Sequence, residues 1–183
     1  MQKETDDHEY FMRLALTEAK RAYDLGEVPI GAVVVAPDGQ VIGRGHNMRE
    51  SRGDPTAHAE MMAIQRAAAQ RHHWRLHGCR LYVTIEPCMM CAGAIQLSRI
   101  AHVFYGAVNP KGGALGSSGN AYAFDRLNHY PVVSSGILTP LCGKIVQDFF
   151  REKRQRYRAR CTDATCGEMS EWSKELASKA SSP

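Results

Sequence analysis

The chain has 183 residues, 44% of them hydrophobic and 23% charged, a balance that fits one soluble globular domain and excludes a disordered or fibrous chain. Its net charge of +4 permits a nucleic-acid partner without requiring one. No stretch approaches the roughly 18 continuous apolar residues of a membrane span. The polar opening MQKETDDHEY lacks the basic start and apolar run of a secretory signal, so the expectation is a cytoplasmic protein with no membrane association.

Asp6 to Leu25 carries Met12, Ala15, Leu16, Ala19, Ala22 and Tyr23 at helical spacing, and Gly26 supplies a stop. The run IGAVVVA, Ile30 to Ala36, reads as a strand buried on both faces. Pro37-Asp38-Gly39 turns the chain back into a second strand, Val41 to Gly45, to make a hairpin. Met48 to Pro55 reads as a polar loop, and a helix follows over about Ala57 to Gln70. Leu81 to Ile85 is a third strand, and Pro87 opens a helix from Cys88 to about Leu97, because proline suits a first helical turn. Ala101 to Tyr105 is a fourth strand. The Gly- and Ser-rich stretch from Asn109 to Asn120 reads as a functional loop. Val132 to Ile137 is a candidate fifth strand, and a long helix runs from about Pro140 to Arg160. Strands alternating with helices after an opening hairpin predict an α/β fold: a three-layer α/β/α sandwich with a mixed sheet of about five strands and helices on both faces. Residues 1–160 make the domain, and 161–183, rich in Ser, Lys and Glu, are expected to be a flexible tail.

Six cysteines with no secretory signal argue against a disulfide framework. Cys79 and Cys142 read as packing residues, and Cys161 and Cys166 as exposed thiols of the tail. The chemistry concentrates in TAHAE, Thr56 to Glu60, and EPCMMC, Glu86 to Cys91. Two thiolates and an imidazole, Cys88, Cys91 and His58, form a soft donor set that prefers zinc. Three protein ligands leave a fourth tetrahedral position open, which distinguishes a catalytic from a structural site. Thiolates in the first turn of a helix gain from its unpaired N–H groups and dipole. Glu60 lies two residues after His58, about 200° around a regular helix. Hence either His58 belongs to an irregular helix entry or Glu60 reaches the site from an adjoining side; the first is favoured. A carboxylate near the metal but not on it can move protons. Two blander readings compete: a redox CxxC, which lacks the usual aromatic-Cys-Gly-Pro-Cys context, and a structural zinc completed by Cys79, His72, His73 or His77.

HxE followed by PCxxC is the mark of zinc nucleobase deaminases. The segments EVPIGAVVV, DPTAHAEMMAI, LYVTIEPCMMCAGAIQLSRIAHVFYGA, KGGALGS, LNH, GIL and DFFREKR resemble the bacterial tRNA adenosine deaminases from Glu27 to about Arg154. This resemblance implies a cytidine-deaminase-type fold, one Zn2+ per subunit on His58, Cys88 and Cys91, and Glu60 as catalytic proton shuttle. It implies a homodimer that converts adenosine to inosine at the wobble position of a tRNA anticodon stem-loop. Asn47 matches the position that hydrogen-bonds the flipped purine, with a plain strand-end turn as its alternative, and Lys111 matches a substrate-contacting position. From Lys144 to Arg160 seven basic residues face two acidic ones. With Phe149, Phe150 and Tyr157 among Lys153 and Arg154, this stripe suits phosphate contact and base stacking; a solvated helix face explains the charges equally well.

One departure concerns Asn109, where the family usually carries aspartate near the substrate ribose. The loss of charge predicts relaxed discrimination at the 2′-OH and weak activity on single-stranded DNA; the alternative is that Asn109 only preserves the loop turn. The zinc site alone leaves open a small-molecule deaminase of the cytosine or guanine type, or a non-catalytic RNA-binding module with structural zinc, against which Glu60 argues.

Overall fold

A computed structural model describes residues 2–163 of the chain. The elements run α1 (Gln2–Asp24), β1 (Gly31–Val35), β2 (Val41–His46), α2 (Arg49–Arg52), α3 (Ala59–Arg71), β3 (Arg80–Ile85), α4 (Met89–Leu97), β4 (His102–Ala107), β5 (Val132–Ser135) and α5 (Thr139–Asp163). The described residues divide into two compact units, one that runs to Phe149 and another that begins at Phe150, inside α5. The expected tail from 161 starts helical as far as Asp163; the rest of it, Cys166 included, lies outside the described residues.

The five strands form one mixed sheet in the order β2-β1-β3-β4-β5. β1 pairs antiparallel with β2 and β3, whereas β3-β4 and β4-β5 are parallel. Period-two alternation sorts the side chains to two faces. Ala32, Val34, Leu81, Val83, Val103 and Tyr105 enter one buried cluster with Ala59 and Ala63 of α3 and Ala92 and Ile95 of α4. Val33, Val35, Tyr82 and Phe104 enter another with Phe11, Met12 and Ala15 of α1 and Cys142 of α5. Every β1 residue is buried, as expected of a strand covered on both faces. The α/β/α sandwich is therefore a direct product of the alternation.

Three local expectations are corrected. α1 begins four residues before Asp6. The loop expected over Met48–Pro55 contains the single turn α2, too short for periodicity to reveal. It is held by buried Glu27, whose Oε1 accepts the Ser51 N–H at 2.7 Å and the Ser51 hydroxyl at 2.8 Å. Pro87 does not occupy the first helical position; it precedes the extended N-cap Cys88, and α4 starts at Met89.

One close approach positions the site. A Cβ on Gly45 of β2 would lie 2.1 Å from the Ala59 carbonyl oxygen, so only glycine lets the first turn of α3 lie on this strand. That contact sets His58 beside the end of β2. Cys79 and Cys142 are fully buried, and burial raises both thiols, Cys142 to about 12. They are packing residues, as their apolar contexts predict.

Candidate active site

His58 and Cys88 are both N-caps with extended backbone, at φ −79°, ψ 156° and φ −77°, ψ 174°. The approach to His58 is fixed by a local turn in which Asp54 Oδ1 accepts the Thr56 N–H at 2.8 Å and the Thr56 hydroxyl at 2.7 Å. His58 then contributes its carbonyl to the Met62 N–H, 3.0 Å, as the helix begins. This extended cap resolves the spacing of His58 and Glu60. The imidazole stands outside the helical turn, so the 200° separation of a regular helix does not apply, and Glu60 falls at the second position of α3.

His58 Nδ1 lies 3.7 Å from Cys88 Sγ and 3.5 Å from Cys91 Sγ. Among the described residues, these three side chains form a group whose ligand atoms all lie within 4.8 Å of one another. Zn–S bonds of about 2.3 Å and Zn–N bonds of about 2.05 Å at tetrahedral angles separate N from S by about 3.5–3.6 Å. The spacing therefore fits a zinc ion held by His58 Nδ1 and both sulfurs, and the donor set is the one zinc prefers. None of Cys79, His72, His73 and His77 belongs to this group, which leaves the structural-zinc alternative without its fourth ligand.

The electrostatics are those of a cation site. The Cys91 thiol, with His58 next, holds Cys88 down at about 3, and the Cys88 contact raises His58. Cys91 is pushed up, first by Cys88 and then by burial. Two sulfurs this close share one proton, and both carry charge together only when a cation sits between them. Glu60 is buried at 4% exposure, and burial pushes its carboxyl up to about 7. It contacts the Cys91 thiol and its own backbone N–H. A carboxyl poised near neutrality beside the metal ligands can both take and release a proton.

Two further segments flank this centre. Asn47, 4% exposed, follows β2, and its Oδ1 accepts the Ala59 N–H at 3.1 Å. It thereby serves an unpaired donor at the start of α3, and its amide NH2 is the group it can offer a ligand. On the other side, the 109–117 loop is more firmly held than its Gly-rich composition suggested. Buried Glu86 accepts the N–H groups of Asn109 at 3.1 Å, Leu115 at 3.0 Å and Ser117 at 3.1 Å, and the Ser117 hydroxyl. Burial alone would raise this carboxyl, but the bonds from Ser117, Asn109 and Leu115 prevail and lower it. The Ala114 N–H reaches the Pro87 carbonyl at 2.9 Å, so the loop is tied to the segment that carries Cys88. Sequence reasoning missed this role, although a glutamate directly after an apolar strand was its visible signal.

Asn109 is half-buried, and its Oδ1 accepts the Gly112 N–H at 3.2 Å; an aspartate would accept the same bond. Lys111 is exposed on this loop. The LNH segment packs against the α4 end of the fold, with Asn128 accepting from Gln96 at 2.6 Å and His129 Nε2 2.6 Å from the Ile100 carbonyl. Phe149 is corrected as a stacking residue: it is 7% exposed and packs edge-on against Tyr23 at 5.5 Å. Phe150, Lys153 and Arg154 are exposed on α5 within the unit that begins at Phe150.

Residues 5–107 match the cytidine and deoxycytidylate deaminase zinc-binding region. The chain is 49% identical over 151 residues to the tRNA-specific adenosine deaminase of Streptococcus pyogenes serotype M1, covering 82% of this chain and 88% of that one. It is 48% identical over 151 residues to the enzyme of the same name from Bacillus subtilis strain 168, covering 82% and 93%. A solved structure from studies of A-to-I editing by tRNA:A34 deaminases at the wobble position of transfer RNA superposes with a TM-score of 0.72. Its identity is 46%, covering 74% of this chain and 98% of that one. The chain belongs to the tRNA-specific adenosine deaminases, within the cytidine and deoxycytidylate deaminase zinc-binding family.

Proposed function

We propose that this protein hydrolyses adenosine to inosine and ammonia at the wobble position of a tRNA anticodon loop. The observation that carries the chemistry is the pairing of a three-ligand group, His58, Cys88 and Cys91, with the buried carboxyl of Glu60. The relatives named for the same activity support the substrate. His58 Nδ1, Cys88 Sγ and Cys91 Sγ would hold zinc, which when bound supplies a water acidic enough to ionise near neutral pH. Glu60 takes a proton from the attacking water and places it on N1 of the purine. It then takes the second proton from the hydroxyl now on C6 and delivers it to the amine, which leaves as ammonia as the C6 carbonyl forms. Its burial keeps these transfers out of bulk water.

Asn47 would donate its amide N–H to the flipped base, since its oxygen is committed to Ala59. Lys111 on the anchored loop would contact a phosphate of the anticodon loop; separately, within the other unit, Phe150 would stack on a base and Lys153 and Arg154 would contact phosphates. The protein acts in the cytoplasm as a homodimer in this reading. Met89, Gly93 and Leu97 share one face of α4, and Met89 and Leu97 are 56% and 61% exposed, an apolar strip suited to a second copy. Among the described residues no helix is long and apolar enough to cross a membrane.

Single-stranded DNA would be a weak side substrate through Asn109. The Gly112 bond is available to Asn and Asp alike, so this position can change charge without changing its turn. The test offers the protein a wobble-adenosine stem-loop as RNA and as DNA, alongside free cytidine and guanine, and repeats it with Asn109→Asp. Inosine should form fastest in the RNA stem-loop, no uridine or xanthine should form from free cytidine or guanine, and Asn109→Asp should raise the RNA-to-DNA rate ratio. Preferred turnover of free cytidine or guanine would contradict the substrate assignment; an unchanged ratio would remove the role of Asn109.

A further inference from the structure

The sheet face covered by α1 and the start of α5 carries a cleft that the deamination chemistry does not use. It has a volume of about 410 Å³ and is lined by His8, Arg80, His102, Phe104, Ser134 and Ile137. Strand register builds it. Arg80 pairs with His102 across the parallel β3-β4 ladder, and Phe104 pairs with Ser134 across β4-β5. Alternation sends Arg80, His102, Phe104 and Ser134 to the same face. The candidate active site follows the other ends of these strands: Arg80 opens β3, and five positions later, about 17 Å along the strand, Ile85 leads to Glu86 and Cys88.

Every polar group in this lining is a donor or a potential cation. His8 engages Tyr82 through Nδ1 at 2.8 Å, and His102 Nε2 lies 2.9 Å from Ser134 Oγ. The His8 and His102 rings flank Phe104, at centroid distances of 4.3 and 3.9 Å. No described acidic residue lines the cleft; Asp7, whose charge reaches Tyr82, is exposed and stands outside the lining. Like charges opposed across a ladder are unfavourable. Burial first, then His8 and Arg80, lower His102. A group that supplied two or three anionic oxygens would relieve that cost and offer these donors charged acceptors in place of neutral ones. The flat ring of Phe104 and the side chain of Ile137 would bear on whatever carries the oxygens.

We infer that this cleft is a second ligand site, which binds a phosphoryl group through Arg80, His102, His8 and Ser134. Inorganic phosphate and the phosphate of a mononucleotide share that chemistry, and the experiment separates them. Inorganic phosphate, adenosine monophosphate and adenosine are each titrated into the zinc-loaded protein while the ring resonances of His8 and His102 are followed by NMR. Phosphate on the metal at the opposite strand ends would leave these rings unmoved.

Saturable shifts with phosphate are expected, with none from adenosine. Arg80→Gln should weaken binding by about tenfold or more, a loss in keeping with removal of a charge-assisted contact. Lys20→Gln, on the far exposed face of α1, should bind as the parent does. Tighter binding of adenosine monophosphate would identify a nucleotide as the carrier, and equal binding would identify free phosphate. Ser134→Ala removes only a hydroxyl from an edge strand and serves as the second variant if Arg80→Gln fails to fold; it too should weaken binding. Shifts that do not saturate by about 10 mM, an affinity weaker than millimolar, would overturn the assignment. So would equal affinity in the parent and in a folded Arg80→Gln or Ser134→Ala variant.

Discussion

Glu60→Gln should lower inosine formation by about a thousandfold or more while bound zinc is retained. The amide has the same shape and can still form hydrogen bonds, but it can neither take a proton from water nor return one to the leaving amine. General acid–base groups contribute about 10²- to 10⁴-fold, and here one residue serves both halves of the reaction. Its burial matters as much as its identity: removal from water pushes the carboxyl up, to about 7. The measurement pairs a rate assay with metal analysis of the same preparation. A variant that keeps its zinc and works within about fivefold of the parent would show that Glu60 is not the proton carrier. Loss of zinc along with activity would instead place Glu60 among the groups that hold the metal.

The second large effect is expected at Glu86, a residue whose role no motif announced. Glu86→Gln exchanges one acceptor oxygen for an NH2 group that must face backbone N–H donors. Four bonds converge on this buried carboxylate, and bonds to a charged acceptor are worth about 1.5–3 kcal/mol each. The substitution should destabilise the fold by about 3 kcal/mol and free the loop that bears Asn109 and Lys111. Thermal or denaturant unfolding reads the first consequence, and a raised KM for the stem-loop reads the second. The pH dependence has a definite sign. Glu86 is lowered in the folded chain from an ordinary value of 4.5, so the folded state favours its ionised form. That stability is fully present above about pH 4.5 and is lost as pH falls through the lower folded value. Glu27, likewise lowered because the Ser51 bonds outweigh burial, adds to the same acid sensitivity. The parent should therefore lose more stability between about pH 5 and pH 3 than Glu86→Gln does; equal slopes would show that the carboxylate is not what holds the loop.

The layers of the fold were legible because they rest on alternation. Ala32 and Val34 against Val33 and Val35, and Leu81 and Val83 against Tyr82, are visible in sequence as runs apolar at every position, the mark of strands covered on both sides. The grouping of His58, Cys88 and Cys91 into a candidate metal site was legible because such spacing is part of zinc chemistry. The geometry of helix starts was not. Whether Pro87 or Cys88 begins the turn depends on backbone angles that residue type only biases, and the extended cap at Cys88 is what sets its sulfur beside His58. Long-range partners were also out of reach. Glu27 reaches α2 and Glu86 reaches the 109–117 loop across 24 and 23–31 residues, and local pattern carries no record of such pairs. The stripe of basic and aromatic residues on α5 was overcounted for the same reason, since the packing of Phe149 on Tyr23 is a tertiary fact.

In the proposed function, zinc held by His58, Cys88 and Cys91 acts with Glu60 beside it to deaminate the base. The most direct measurement is metal content and inosine formation on one sample of an RNA anticodon stem-loop reaction, before chelation, after it, and after zinc is returned. One zinc per chain is expected, with activity that falls to background when the metal is removed and returns as about one equivalent is restored. Full activity in metal-free protein would contradict the account.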